Sequence, residues 1–187
     1  MPVACALLLA VGCGPPPPKL DLPDRAVGIH EPLWEPLDKD ARFVIGEVKV
    51  TIDEELADDE IPTSQEIDKL KAYLHWHMNH TYLFEVVGRG AERIRYEIRG
   101  EITRFRRGST TARVFGLSRL GRTYIVVELN VIDLQDGGIA FGGVFRSELK
   151  RSAETGEHVL DDVASAFADE LRRQYLGMLN RENGAED

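Results

Sequence analysis

Between residues 94 and 103 the chain alternates. Ile94, Tyr96, Ile98, Gly100 and Ile102 fall on one side of an extended backbone, and Arg95, Glu97, Arg99, Glu101 and Thr103 fall on the other. Strand side chains point to opposite faces with a period of two, so the segment reads as a strand, over 94–105, with one dry face and one wet face. That pattern belongs to sheets covered on one side only, which are commonly antiparallel. Residues 124–133 repeat it, with Ile125, Val127, Leu129 and Val131 on a shared face. Asp136-Gly137-Gly138 is a hairpin turn signal, and residues 139–149 return as the partner strand. Cross-strand charge pairing would set the wet-face arginines beside glutamates.

Two helical patterns flank this core. Thr63 and Glu66 fit a capping box with Pro62 just outside, and Ile67, Leu70, Leu74 and His77 or Met78 recur at helical spacing. From about residue 157 to 179, Leu160, Ala164, Phe167, Ala168, Leu171 and Tyr175 line one face, with acids early and Arg172 and Arg173 late, as the helix dipole favours. Residues 43–52 read as a strand with a bulge at Gly46, and 82–87 as a strand ended by Gly88 and Gly90. The expected fold is α+β, an α/β sandwich. One mixed, mostly antiparallel sheet of about five strands carries two helices on one face, in the order β-α-β-β-β-β-α. This single domain is expected over 41–180, and 181–187 is expected to fray. No internal repeat is present.

The 187 residues are 43% hydrophobic and 29% charged, enough apolar material for a core. No apolar run reaches the ~18 residues that a spanning helix needs. The first residues read as an address. Ala4 to Val11 is a short apolar run that ends at Gly12-Cys13 and precedes Gly14 and Pro15 to Pro18. Ala10-Val11-Gly12-Cys13 resembles the bacterial lipobox, although Ala10 stands where Leu is usual and Met1-Pro2-Val3 carries no basic residue, leaving a start further upstream as an alternative. The resemblance implies a signal peptide over 1–12, cleavage after Gly12 and lipidation of Cys13. With Cys5 lost in the signal peptide, the mature chain would hold no free thiol and no disulfide. Position 14 is Gly rather than the Asp that favours inner-membrane retention, which by the same resemblance implies the outer membrane, facing the periplasm. Residues 13–40 are rich in proline and read as a tether, with Leu33 and Trp34 docking on the domain or serving as a partner-binding peptide.

Charge is uneven. Residues 1–88 carry −9, residues 89–122 carry +7 and residues 123–187 carry −7. Arg104, Arg106, Arg107, Arg113, Arg119 and Arg122 form the basic middle. It is either neutralised by the acidic flanks or offers a surface to an envelope protein or an anionic envelope component. An acidic chain without a reader motif argues against nucleic acid.

Chemical constellations are weak. In His75-Trp-His-Met-Asn-His80, only His77 and His80 share a helical face, so they are weak metal candidates and better read as histidines at a helix C-terminus. The acidic run 53–60 lacks EF-hand spacing, and 116–121 is neither a Walker loop nor a dinucleotide fingerprint. No G-x-S-x-G is present, and no cofactor is expected.

Gly100-Glu-Ile-Thr-Arg-Phe-Arg-Arg-Gly108, then Phe115-Gly116 and Gly121, then Val126-Val-Glu-Leu-Asn-Val-Ile-Asp133 and Gly137-Gly138, resemble a family of uncharacterised bacterial envelope lipoproteins with a domain of unknown function. The element order is also similar to the small α/β domain of periplasmic assembly lipoproteins, such as the curli-secretion pore protein and the activators of penicillin-binding proteins. These resemblances imply a lipid-anchored, non-catalytic interaction or assembly module. The alternatives are a periplasmic small-ligand or glycan-binding enzyme, and an oligomeric scaffold pairing through an exposed sheet edge.

Overall fold

The computed structural model describes residues 25–51, 61–108, 123–149 and 157–183. In chain order they form β1 (Arg25–Glu31), β2 (Arg42–Val50), α1 (Ser64–His80), β3 (Glu85–Val87), β4 (Ile94–Arg106), β5 (Tyr124–Asp133), β6 (Ile139–Glu148) and α2 (Glu157–Asn183). One six-stranded sheet has the order β1-β6-β5-β4-β2-β3. β1, β6, β5 and β4 pair antiparallel, whereas β4, β2 and β3 run parallel. The fold is the expected α+β arrangement, with both helices on one face and one strand more than the five expected.

The extra strand is β1, in a stretch expected to belong to the 13–40 tether. Between Pro23 and Pro32 the segment Arg25-Ala-Val-Gly-Ile-His-Glu carries every amide donor a ladder needs, and it pairs with β6 from Arg25↔Ser147 to Glu31↔Gly142. Leu33 and Leu37 beyond it are buried in the core, and the Leu33 N–H donates to Gln174 Oε1 at 2.9 Å. Trp34 instead stands in solvent, its indole donating to Glu31 Oε1. Residues 25–40 are therefore folded rather than tether. At the other end, α2 continues to Asn183, past the expected boundary at 180.

Local chemistry explains the elements. Glu66 N–H donates to Thr63 Oγ1 and Thr63 N–H donates to Glu66 Oε2, completing the capping box of α1. Leu70, Leu74 and Met78 bury fully against the sheet and α2. The β2 register against β4 skips between Ile45 and Val48, which places the bulge at Gly46 and Glu47. A Cβ on Gly46 would lie 2.3 Å from Glu97 Oε1, so only glycine lets Glu97 lie there. The β5–β6 turn closes with Gly137 N–H on Asp133 O at 2.8 Å and Gly137 at φ +77°. Inside, Ile125, Val127, Leu129 and Val131 are fully buried, and Phe141 and Phe145 pack their rings on Phe167. β3 is shorter than the 82–87 expected, because Tyr82 adopts φ +58° and turns the chain before the strand begins.

Candidate functional site

The expected basic surface is split. Cys13, Gly12, Arg113, Arg119 and Arg122 lie outside the described residues, as do 53–60 and 116–121. Arg104 and Arg106 sit on the sheet face opposite the helices, in register with Val126 and Tyr124. Arg104 is exposed, while Arg106 is half-buried with an Nε that has no hydrogen-bond partner among the described residues. Arg107 is recruited inward. Its Nε and Nη2 clasp Glu66 at 2.9 and 2.6 Å, Nη2 also donates to Ile61 O, and the guanidinium lies 5.4 Å from the Phe105 ring. Burial pushes the Glu66 carboxyl up, but Arg107 and the Thr63 amide outweigh it and hold it below the usual glutamate range.

The rest of that face is a polar network. His30 Nε2 and Asn130 Nδ2 both meet Glu128 Oε1 at 3.0 Å, and Arg99 pairs with Glu97 along the same strand rather than across strands. A Cβ on Gly142 would lie 2.2 Å from Asn130 Oδ1 and 2.6 Å from a His30 ring carbon. Glycine there lets His30 fold back over β6. This contact was illegible in the sequence, because His30 fell within the expected tether.

His77 and His80 do not converge. His77 Nε2 meets Asp161 Oδ1 of α2 at 2.8 Å, whereas His80 Nδ1 donates to Trp76 O and stacks on the Trp76 ring at 3.8 Å. Among the described residues, no group of three or more His, Cys, Asp or Glu side chains is placed to hold a metal. His77 thus links the two helices, while His80 bonds a carbonyl within its own last turn and Thr81 forms the C-cap.

At this end of α1 the first residues of the parallel strands surround an open cleft of about 610 Å³. Its walls come from residues 39–42 before and at the start of β2, from Asn79 in the last turn of α1, from 82–85 leading into β3, and from 92–93 before β4. Asn79 builds the inner corner. Its Oδ1 accepts from Val86 N–H at 2.9 Å and its Nδ2 donates to His75 O, joining α1 to β3. Behind the 39–42 wall, the Tyr96 hydroxyl accepts from Asp38 N–H at 3.1 Å, and Arg95 bridges Asp38 to Asp133. Burial pushes the Tyr96 hydroxyl up. Burial also pushes Asp133 up, but the Gln135 amide and Arg95 overcome it and hold that carboxyl below the usual range. Sequence reasoning missed this cleft, since its residues come from three loops.

No family model and no curated protein matches the chain. The fold is nevertheless similar to that of solved structures. The PelC dodecamer from Paraburkholderia phytofirmans gives a TM-score of 0.57 at 13% identity, covering 79% of this chain and 97% of that one. XCC0632 from Xanthomonas campestris, of the DUF330 family, gives 0.47 at 10% identity over 79% and 89% of the two chains. A candidate lipoprotein from Caulobacter crescentus gives 0.41 at 11% identity over 70% and 91%. At these identities the likeness is one of fold.

Proposed function

We propose that the chain is a lipid-anchored protein of the bacterial envelope, held through Cys13 on the periplasmic side of the outer membrane, and that it works by association rather than by chemistry. The observation that carries this reading is β1. Its seven residues form an edge of the sheet, paired on one side with β6 and with no second strand partner among the described residues. An edge of unpaired amides and carbonyls is a template for another strand. The uncovered face of the same sheet presents, on β4 beyond β6 and β5, exposed Arg104 and Arg99 with Glu101, mixed charge suited to an envelope protein or an anionic envelope component. The internal use of Arg107 reduces the basic surface to fewer arginines than the sequence offers.

A second reading, self-assembly through that edge, is favoured by the fold shared with a protein crystallised as a dodecamer. Two measurements test these readings. Cys13→Ala should move the protein from the membrane to the soluble fraction, and membrane retention would overturn the anchor. Light scattering on the purified mature protein should give a multiple of its own protomer mass, and a monomer at high concentration would overturn self-assembly while leaving association with other partners standing.

A further inference from the structure

Two described residues other than glycine hold left-handed backbone, Tyr82 at φ +58° and Arg93 at φ +60°. Both line the cleft at the end of α1. Such conformations are disfavoured for side chains with a Cβ and persist where the surrounding structure imposes them, often at binding sites. Asparagine or glycine would relieve the backbone at either position, yet the chain carries a phenol and a guanidinium.

The chemistry of the walls narrows the ligand. Lys39, Arg42 and Arg93 are matched by Asp40, Glu85 and Glu92, so the formal charges cancel. Arg42 and Glu85 neutralise each other at 2.9 Å, whereas Lys39, Glu92 and Arg93 are exposed and make no side-chain hydrogen bond among the described residues. An anion entering the cleft would face three carboxylates and the negative end of the α1 dipole, and a cation would face three basic groups. A neutral ligand rich in hydroxyls meets neither penalty and can use every charged group as donor or acceptor.

Tyr82 is 89% exposed at the rim, and the His80 ring, 6.3 Å away, continues into the Trp76 indole, itself 52% exposed. Exposed rings of this kind present flat apolar faces beside polar tips. A pyranose has the complementary shape, with axial C–H groups on a face and hydroxyls around its edge. We propose that the cleft is a binding site for a neutral saccharide chain, which stacks on Tyr82 and follows the rings toward Trp76 while its hydroxyls bond Arg93, Glu92 and Lys39. The site goes beyond anchoring and assembly and is independent of both.

The test is titration calorimetry on the full chain in detergent micelles. The probes are neutral cello-, chito-, malto- and xylo-tetrasaccharides, with oligogalacturonate and deacetylated chitosan oligomers as the acidic and basic counterparts. At least one neutral tetrasaccharide should bind, and more tightly than either charged oligomer. Tyr82→Gly removes the ring and relieves the backbone, so it should weaken binding about tenfold while the melting temperature stays level or rises. Arg93→Gly should behave alike. Silence from all four neutral probes, tighter binding of a charged oligomer, or Tyr82→Gly melting lower with affinity unchanged would each overturn the proposal.

Discussion

Single residues do more than fill positions in this protein. Glu66 serves the capping box and Arg107 at once, so its carboxylate joins the start of α1 to the end of β4. Thr63→Ala should lower stability by about 1 kcal/mol in urea denaturation, the ordinary effect of losing a cap. Glu66→Gln should lower it further, because the part-buried Arg107 then loses its counter-charge. Gly142 shows the opposite dependence, on the absence of a side chain. Gly142→Ala should displace His30 and Asn130 from Glu128, read as altered His30 ring signals in NMR.

At the scale of elements, β1 turns a segment with few apolar residues into part of the fold. The strand is held by its ladder to β6, by His30 on Glu128 and, just beyond it, by Leu33 in the core. Gly28 pairs with Val144, and Val27 with Phe145. A proline at Gly28 removes a donor and stiffens the backbone there. Gly28→Pro should therefore raise amide exchange along β1 and the facing β6 residues while leaving β4 and β5 protected. If exchange in β1 is already as fast as in an unfolded chain before substitution, the strand is not held as described. The helices depend on packing. Leu74 is fully buried between α1, α2 and the sheet, and Leu74→Ala should cost about 2–5 kcal/mol, read as a lower urea midpoint.

For the whole molecule, the acid limb of stability follows from carboxylates held below their ordinary range. Glu66 and Asp133 are lowered against the opposing effect of burial, and Glu170 is lowered chiefly by Arg173, with Gln174 also donating to it. A depressed folded value contributes stability above the ordinary carboxylate range, and that contribution fades as pH falls through the lowered values. Stability should be level from neutrality to about pH 5 and fall below about pH 4. Asp133→Asn combined with Glu66→Gln should flatten that fall, measured as urea midpoint against pH. An unchanged slope would assign the acid limb to other groups.

Period and punctuation alone determined much of the fold. Alternation placed β4 and β5, the Thr63–Glu66 pair placed the start of α1, and Asp136-Gly137-Gly138 placed the hairpin and with it β6, because each is a local rule that a few neighbouring residues satisfy by themselves. The fate of the arginines was not local. Arg107 turned inward only because α1 brings Glu66 to the end of β4, and Arg104 stayed outside because the β4 bulge sets it on the uncovered face. β1 was hidden because an edge strand needs only one partner and few apolar residues, and its partner lies more than a hundred residues away. The cleft exists only where three loops meet, so no segment carries its signature. Sequence decides what neighbours along the chain can satisfy among themselves, and tertiary structure decides which distant charges, strand edges and rings must satisfy one another.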